Sequence, residues 1–335
     1  MANYVIIGTV AAVVGLLTYG IPILLDEYFP WQRLSKQRTG KPTVTTKSYA
    51  GRTALITGAS GALGSLAAKM FARRDIDTLV LVDVMDLSAV RDEILGECKT
   101  QGKPAPNILI WRIDMMTFKG CQELGQKARS LKNLDHALLA AGLFSYDRKD
   151  SPDGWETSEF HPSAPSIRIT NPTPAIQVNY LSTALISLLL LPHLKSSPSN
   201  HNPPVLTFVT SFGIYLASPT MVIPKTGSYL KHLSNNKPGL QQGSQYGRSK
   251  ALLLYFAREL AAHATNLKSK VTINSADPGC AWTPLTAANG ERMIPKLITD
   301  LTAREPEFCA AALVNGVSVG PEGHGEVMGD FGTLE

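Results

Sequence analysis

The chain has 335 residues, of which 44% are hydrophobic and 18% are charged, and its formal net charge is +5. It contains no repeat and no low-complexity tract, and its length is ample for one large α/β domain without excluding a second. No dense lysine and arginine run with interleaved aromatic residues is present, so nucleic-acid binding has no support. The four cysteines are far apart and none of the seven histidines sits at metal-ligand spacing. We expect no metal site and no disulfide framework, which fits a reducing compartment.

The N-terminus begins with an apolar segment. Residues 4–25 form an uncharged run of 22 mostly apolar residues, which at about 1.5 Å per residue is enough to cross a bilayer. A cleaved signal peptide would have a basic start and a shorter apolar stretch. A buried core helix would precede a complete α/β pattern and have nothing left to pack on. We therefore predict a membrane anchor over residues 1–28, a linker over 29–50 and one domain over 51–335.

Basic residues after this segment predict its orientation. They place the bulk of the chain in the cytosol, with the endoplasmic reticulum as the expected membrane. The acidic pair Asp26 and Glu27 adjoins the segment on the same side. The basic residues are Arg33, Lys36, Arg38, Lys41 and Lys47.

A glycine-rich turn follows the first predicted strand, Thr53–Ile56, and leads into a helical pattern that runs through Arg73. This order of strand, turn and helix lets backbone N–H groups approach a pyrophosphate at the helix N-terminus. Glycine is needed in such a turn because side chains would hold the phosphates away. The predicted cofactor-binding residues of the turn are Gly58, Ser60, Gly61, Ala62, Leu63 and Gly64.

The second predicted strand, Thr78–Val82, ends at Asp83. A carboxylate at the tip of this strand can accept hydrogen bonds from the two hydroxyls of an adenosine ribose, and its charge would repel a 2′-phosphate. The turn also has no arginine or lysine to bind such a phosphate. The cofactor NAD(H) is therefore favoured over NADP(H). Asp86 is a competing carboxylate, and either residue could be a solvated loop charge.

Strands and helices continue to alternate beyond this point. Predicted helices lie near residues 88–100 and 118–131, and predicted strands at Ile108–Ile113 and His136–Leu139. Asp114 follows the third strand, and Ala141 and Gly142 follow the fourth. The fold class this predicts is α/β, with a doubly wound parallel sheet of the Rossmann type.

Tyr246 and Lys250 lie four residues apart at the start of a predicted helix. This spacing puts them on one face, one turn from each other. An ammonium beside a phenol favours the phenolate, so we expect the pKa of Tyr246 to fall from about 10 toward neutrality. Taken alone, the pair is equally well explained as two exposed side chains of an amphipathic helix.

These motifs, in this order, resemble the short-chain dehydrogenase/reductase family. The resemblance covers roughly residues 51–285, and a glycine-rich stretch at 320–325 is similar to a fungal branch that includes many tailoring enzymes of secondary metabolism. Besides the turn and the tyrosine–lysine pair, it is carried by Asp83, Asp114, Ala141, Gly142, Asn179, Ser211, Pro278, Gly279 and Thr283.

The resemblance implies roles for these residues. Ser211 would hold a substrate carbonyl oxygen, Tyr246 would transfer the proton, and Lys250 would bind the nicotinamide ribose. Asn179 would hold a water molecule that links Lys250 to solvent. Pro278, Gly279 and Thr283 would close over the nicotinamide and the pyrophosphate. The plain alternatives are a helix-interior amide at Asn179 and a helix N-cap at Thr283.

Three departures from the family pattern leave alternatives open. The spacing Gly58, Gly61, Gly64 resembles the extended branch of epimerases and dehydratases, and Ala140 replaces an asparagine of the family pattern. An insert over residues 212–245 separates Ser211 from Tyr246, so Ser218 and Ser244 are rivals for the serine role. An epimerase or dehydratase that retains bound NAD is therefore the second hypothesis, and a non-catalytic nucleotide-binding scaffold the third.

The remaining expectations concern partners. Residues from about 284 to 310 are expected to form a mobile lid over the substrate. The membrane address suggests a lipophilic small-molecule substrate. Members of the family often form homodimers through the helices that carry Asn179 and Tyr246.

Overall fold

The computed structural model describes residues 39–143, 175–197, 203–216, 230, 242–283, 302–330 and 332–333. Three predictions fall wholly or mostly outside these residues. They are the membrane anchor over residues 1–28, most of the insert over 212–245, and the part of the lid between 284 and 301.

Within the described residues, eight strands form one sheet in the order β3-β2-β1-β4-β5-β6-β7-β8. Every neighbouring pair is parallel except β7 with β8. The chain order reverses direction between β1 and β4, which confirms the predicted doubly wound sheet. The strands are β1 Thr53–Thr57, β2 Thr78–Asp83, β3 Asn107–Arg112, β4 His136–Leu139, β5 Val205–Val209, β6 Thr272–Ala276, β7 Val327–Gly329 and β8 Gly332–Thr333.

Helices cover both faces of the sheet. They are α1 Ala62–Ala72, α2 Ser88–Thr100, α3 Phe118–Ala128, α4 Thr183–Lys195, α5 Gln242–Asn266 and α6 Pro306–Ser318. A π-helical segment, Ile176–Ser182, leads directly into α4, and 3₁₀ turns occupy Phe212–Leu216 and Pro321–Gly323.

Two hydrophobic clusters fill the spaces between sheet and helices. One cluster joins the sheet to α3, α4 and α5 through residues such as Leu124, Ile186 and Leu253. The other joins the opposite face to α1, α2 and α6 through residues such as Phe71 and Leu313. Strands β1, β4, β5 and β6 are buried along their whole length. Burial on both faces explains the nearly continuous apolar sequences of β1, β4 and β5. Strand β6 also buries polar side chains, and its Asn274 accepts a hydrogen bond from Thr207 Oγ1 at 2.7 Å.

Among the described residues, one helix is long and apolar enough to cross a membrane by composition, Ile176–Lys195, which combines the π-helical segment with α4. In the most apolar 18-residue stretch of this helix, 56% is buried inside the protein. Ile186, Leu190 and Leu194 belong to the hydrophobic core. We therefore interpret it as a core helix of the domain.

The end of the predicted linker is packed against the domain. The Thr45 amide donates to Asn315 Oδ1 at 2.7 Å, and Asn315 Nδ2 donates to the Thr43 carbonyl at 3.0 Å. Tyr49 is buried and its hydroxyl bonds to that of Ser318. These contacts with α6 extend the ordered domain back to about residue 43, before the predicted boundary at 51.

The C-terminal part of the predicted lid is also packed. Thr302, Ala303 and Arg304 are buried, and Ala281 and Arg304 form an isolated parallel bridge. Helix α6 begins at Pro306 and buries Cys309 and its neighbours in the core. Residues 302–310 are therefore part of the domain body.

His136, the first residue of β4, is buried between Tyr49 and Phe71, with ring centroids 5.2 Å and 6.4 Å away. Its Nδ1 has no hydrogen-bond partner among the described residues. Burial lowers the pKa of His136 from 6.5 to about 4. The ring is therefore neutral in the folded protein at neutral pH.

We predict that His136 makes the protein less stable in mild acid. The unfolded chain binds a proton at this residue below pH 6.5 and the folded chain only below about pH 4, so stability is lost across that interval. The full decrease in the free energy of unfolding is about 3 kcal/mol. Chemical denaturation at pH 7 and pH 4.5 should show a smaller loss for His136→Phe than for the unchanged protein. An equal loss in both proteins would contradict this assignment.

Candidate active site

A cavity of about 480 Å³ opens at the carboxyl edge of the sheet, where β1, β2, β3 and β4 end. It lies on both sides of the point where the strand order reverses, the usual ligand position in an open α/β sheet. The structure places eleven of the residues predicted from the sequence around it. They are Gly58, Ser60, Gly61, Ala62, Leu63, Gly64, Asp83, Asp114, Ala141, Gly142 and Thr283.

Two glycines let the turn after β1 pack without side chains. Gly58 has a φ of +70°, and a Cβ built on it would lie 2.7 Å from the Ala141 Cα. A Cβ on Gly64 would overlap the Gly58 carbonyl oxygen. The first turn of α1 therefore rests directly on the strand end. This leaves the helix N-terminus open toward the cavity, an arrangement that fits a pyrophosphate group.

Asp83 lies at the rim of the cavity, and its carboxylate is held by the neighbouring loops. Oδ2 accepts from the Ser60 amide at 3.0 Å and from the Ser60 hydroxyl at 2.8 Å, while Oδ1 accepts from the Met85 amide at 3.1 Å. The rival carboxylate, Asp86, is not among the cavity-lining residues. It accepts bonds from the amide and hydroxyl of Ser88 instead.

Ser211, Tyr246 and Lys250 come together where β5 meets α5. The hydroxyls of Ser211 and Tyr246 are hydrogen-bonded, and the Lys250 ammonium lies 6.0 Å from the centre of the Tyr246 ring. The Lys250 Nζ donates to the Val209 carbonyl at 2.7 Å. A Cβ built on Gly142 would lie 3.4 Å from that Nζ, so the lysine adjoins the lining of the cavity. Thus the 35-residue separation of Ser211 and Tyr246 does not prevent their contact.

Of the two rival serines, Ser218 lies outside the described residues, and the side chain of Ser244 is not described. Neither can be compared with Ser211 by its contacts. Among the described contacts, the hydrogen bond between Ser211 and Tyr246 supports the assignment of Ser211 as the serine of the site.

The expected lowering of the Tyr246 pKa was wrong. Burial raises the pKa above 10, the hydrogen bond from Ser211 opposes this, and the nearby Asp277 carboxylate raises it further. Burial also lowers the pKa of Lys250 to about 8, which the charge of Asp277 partly offsets. The prediction considered only the lysine charge, whereas removal of the phenol from water is the larger effect.

Asn179 is a fully buried amide on the π-helical segment. Its Oδ1 accepts from the Leu143 amide at 2.7 Å, and its Nδ2 donates to the Leu143 carbonyl and to Ser249 Oγ, each at 3.0 Å. Both amide hydrogens are therefore engaged, so the side chain has none left to donate to a water molecule. Its observed contacts fix the loop after β4 against α5.

The segment after β6 carries Pro278, Gly279 and Thr283. Gly279 has a φ of +73°, and its amide donates to Asp277 Oδ1 at 2.9 Å. Thr283 lines the cavity, whereas Pro278 and Gly279 do not. The residues after Thr283 lie outside the described part of the chain, and its alternative role as a helix N-cap stays a prediction.

The sequence patterns did not identify several residues that shape the site. Thr57 Oγ1 accepts from the Ala141 amide at 3.1 Å, which links the first strand to the fourth. The buried Asp277 acts on both Tyr246 and Lys250. These residues have no local signal, because their partners lie on other strands or helices. Apolar residues that also line the cavity are Val84, Met85, Ile113, Met115, Met116, Leu143 and Val178.

Comparison with known proteins agrees with this architecture. A short chain dehydrogenase of Arthrobotrys oligospora is 29% identical over 297 residues, covering 85% of this chain and 84% of the relative. The short chain dehydrogenase/reductase mfmJ of Annulohypoxylon moriforme is 29% identical over 317 residues, covering 91% and 82%. The solved RhlG/NADP active-site complex of Pseudomonas aeruginosa has a TM-score of 0.56 at 21% identity, covering 84% of this chain and 95% of that one. No family model matches the chain.

The fold and the relatives together confirm the resemblance to short-chain dehydrogenases/reductases. The class of protein they define is an oxidoreductase enzyme with a Rossmann-type sheet.

We predict that Gly64→Ala abolishes dinucleotide binding, because the added methyl group would overlap the Gly58 carbonyl and displace the turn. Gly96→Ala is the matched control, since a Cβ at that position in α2 has open space around it. The control should bind as the unchanged protein does and be more stable by about 1 kcal/mol. Fluorescence titration with NADH and NADPH would measure both variants. Unaltered binding by Gly64→Ala would mean that the turn is not part of the site.

Proposed function

We propose that this protein interconverts a hydroxyl and a carbonyl group on a lipophilic small molecule, with Tyr246 as the acid and base. The observation that carries this proposal is the hydrogen bond between the hydroxyls of Ser211 and Tyr246. Lys250 lies one helical turn away and adjoins Gly142 in the lining of the cavity. A bound nicotinamide would supply or accept the hydride.

The residues of the chain would handle the proton. A substrate carbonyl oxygen bound between Ser211 and Tyr246 would accept a hydrogen bond from each hydroxyl. Because burial raises the pKa of Tyr246, the phenol keeps its proton at neutral pH and can donate it to that oxygen. The ammonium of Lys250, whose pKa is about 8, would stabilise the resulting phenolate. The reverse reaction requires the phenolate from the start and would be favoured by higher pH.

The cavity supplies the groups that would hold the cofactor. The backbone of the glycine turn would hold the pyrophosphate at the N-terminus of α1. Asp83 would accept hydrogen bonds from the adenosine ribose, and Asp114 and Ala141 would contact the adenosine side. Gly142 and Thr283, which line the cavity, are assigned to the nicotinamide side. Asn179, Pro278 and Gly279 are assigned to the same side, although they are not among the lining residues.

NAD(H) is the proposed cofactor because the Asp83 carboxylate lies at the rim of the cavity. One lone pair of its Oδ1 beyond the Met85 bond is available to a ribose hydroxyl. Arg112 favours the alternative cofactor, NADP(H). It is paired in register with Asp83, and its exposed side chain donates to the Val84 carbonyl at 3.0 Å. Its guanidinium would bind a 2′-phosphate if Asp83 turned away. The related fold of RhlG was solved with NADP.

The site and the sequence support a lipophilic substrate, such as an intermediate of fungal secondary metabolism. The cavity has a larger apolar than polar lining, with Val84, Met85, Met116 and Leu143 among its residues. The proposed anchor over residues 1–28 would place this cavity in the cytosol beside a membrane, with the endoplasmic reticulum as the proposed address. Pairing of two copies through α4 and α5 is part of the same proposal.

We predict that the protein binds NADH more tightly than NADPH, and that Asp83→Ala reduces or reverses this preference. Removal of the carboxylate removes both the ribose hydrogen bond and the repulsion of a 2′-phosphate. Titration of each dinucleotide against the full-length protein would measure the two affinities. Asp86→Ala is the control and should leave the ratio unchanged. Tighter binding of NADPH by the unchanged protein would contradict the NAD(H) proposal.

Tyr246→Phe should retain dinucleotide affinity but lose turnover by a factor on the order of 10² to 10⁴, the usual contribution of a general acid. Tyr255→Phe is the matched control, because Tyr255 lies on the same helix and is 62% exposed. Oxidation of reduced dinucleotide with a panel of lipophilic ketones would measure turnover. Unchanged turnover in Tyr246→Phe, on a ketone that the unchanged protein reduces, would remove Tyr246 from the mechanism.

A further inference from the structure

Arg304 and Asp330 form a buried ion pair beside the segment that follows β6. Their side chains are 3% and 2% exposed. Arg304 Nη2 donates to Asp330 Oδ1 at 2.6 Å, and Nη1 contacts Oδ2, so the pair is bidentate. Arg304 Nε also donates to the Cys309 Sγ at 3.3 Å. One guanidinium thus joins the residue after β7 to helix α6.

The same arginine holds the segment from Pro278 to Trp282 at both ends. Its Nη2 donates to the Pro278 carbonyl at 3.0 Å. Its backbone amide donates to the Cys280 carbonyl at 3.1 Å, and its carbonyl accepts from the Trp282 amide at 3.3 Å. Thr283, the next residue, lines the cavity. The position of this cavity wall therefore depends on a residue that itself does not line the cavity.

A buried ion pair usually adds little net stability to a folded protein. Removal of two charges from water costs several kcal/mol, and apolar residues of similar volume often stabilise a core equally well. The bidentate geometry instead fixes the orientation of the arginine side chain. The N–H groups of a guanidinium lie in one plane and point in fixed directions, so the carboxylate and the carbonyl that accept from them must lie in that plane. These contacts suit a role in holding a backbone segment at one position.

We propose that Arg304 and Asp330 are positioning residues that fix the segment Pro278–Thr283 against the cofactor cavity. The proposal rests on the proposed function, because it requires that the cavity binds a dinucleotide. Loss of the pair would let the segment move away from the cavity. Dinucleotide affinity would then fall, although no cofactor-contacting residue had been changed.

The chain contains a matched control at the opposite edge of the sheet. Arg52 and Asp135 form a second ion pair, with N–O 3.7 Å and side chains 18% and 5% exposed. Asp135 also accepts from the Thr53 amide at 2.8 Å and from Ser197 Oγ. Asp135→Asn therefore removes a buried aspartate charge of the same kind, but at the amino edge of the sheet.

The experiment compares Asp330→Asn, Arg304→Lys and Asp135→Asn in the full-length protein, each well below its own melting temperature. Asp330→Asn should weaken NADH binding by a factor on the order of ten, the usual effect of one lost charge-assisted bond. Arg304→Lys should retain part of the affinity, because it keeps the charge but not the bidentate geometry. Asp135→Asn should lower the melting temperature with no change in affinity.

Hydrogen–deuterium exchange gives a readout that does not depend on the cofactor. In Asp330→Asn the Trp282 amide should exchange faster, while in Asp135→Asn it should keep the rate of the unchanged protein. Unaltered NADH affinity and unaltered Trp282 exchange in Asp330→Asn would overturn the proposal, as would an equal loss of affinity in Asp135→Asn. Faster exchange at Trp282 with unaltered affinity would overturn the link to the cofactor. If the unchanged protein binds neither NADH nor NADPH, the proposed function fails, and the link to cofactor affinity fails with it.

Discussion

Close backbone packing at the end of β1 is the constraint on which the rest of the site depends. Gly58 approaches Ala141 so closely that a side chain would not fit, and Gly64 rests on the Gly58 carbonyl. The hydrogen bond from the Ala141 amide to Thr57 Oγ1 fixes the two strand ends relative to each other. Because Gly142 follows directly and adjoins the Lys250 ammonium, the packing of the glycine turn also affects the position of Lys250, a proposed catalytic residue.

Burial is the second determinant, because it sets the charges of the site. The pKa of Tyr246 is raised and that of Lys250 is lowered to about 8, and burial is the main cause in both cases. Asp277 raises both values, so one carboxylate favours the protonated phenol and the ammonium together. At neutral pH the site therefore holds a proton on Tyr246 and a positive charge one turn away. This state is suited to proton donation.

The sequence predicted the parts of the fold that have local signals. Strands such as Thr53–Thr57 and helix Ser88–Thr100 have continuous apolar or periodic patterns, and the glycines mark where a backbone must pack without side chains. The contact of Ser211 with Tyr246 could be proposed only from a family resemblance, because 35 residues separate them in the chain. The direction of the Tyr246 pKa could not be predicted, since burial depends on every element that packs around the ring.

Other features come from long-range contacts. The pairing of Arg304 with Asp330 joins residues that have no shared pattern, so nothing in the sequence indicated it. The packing of Thr43 and Thr45 on Asn315 likewise joins the two ends of the domain. The last residues of the polar and basic segment that is predicted to be a linker thus contact the folded body.

The most direct test of the central claim is a crystal structure of the full-length protein with NADH. We expect the adenosine end of the dinucleotide to lie against Asp83, the pyrophosphate at the N-terminus of α1, and the nicotinamide beside Tyr246 and Lys250. A dinucleotide bound in the opposite direction, or away from the glycine turn, would contradict the assignment of the site. Under that result the contact of Ser211 with Tyr246 would have to be explained as core structure.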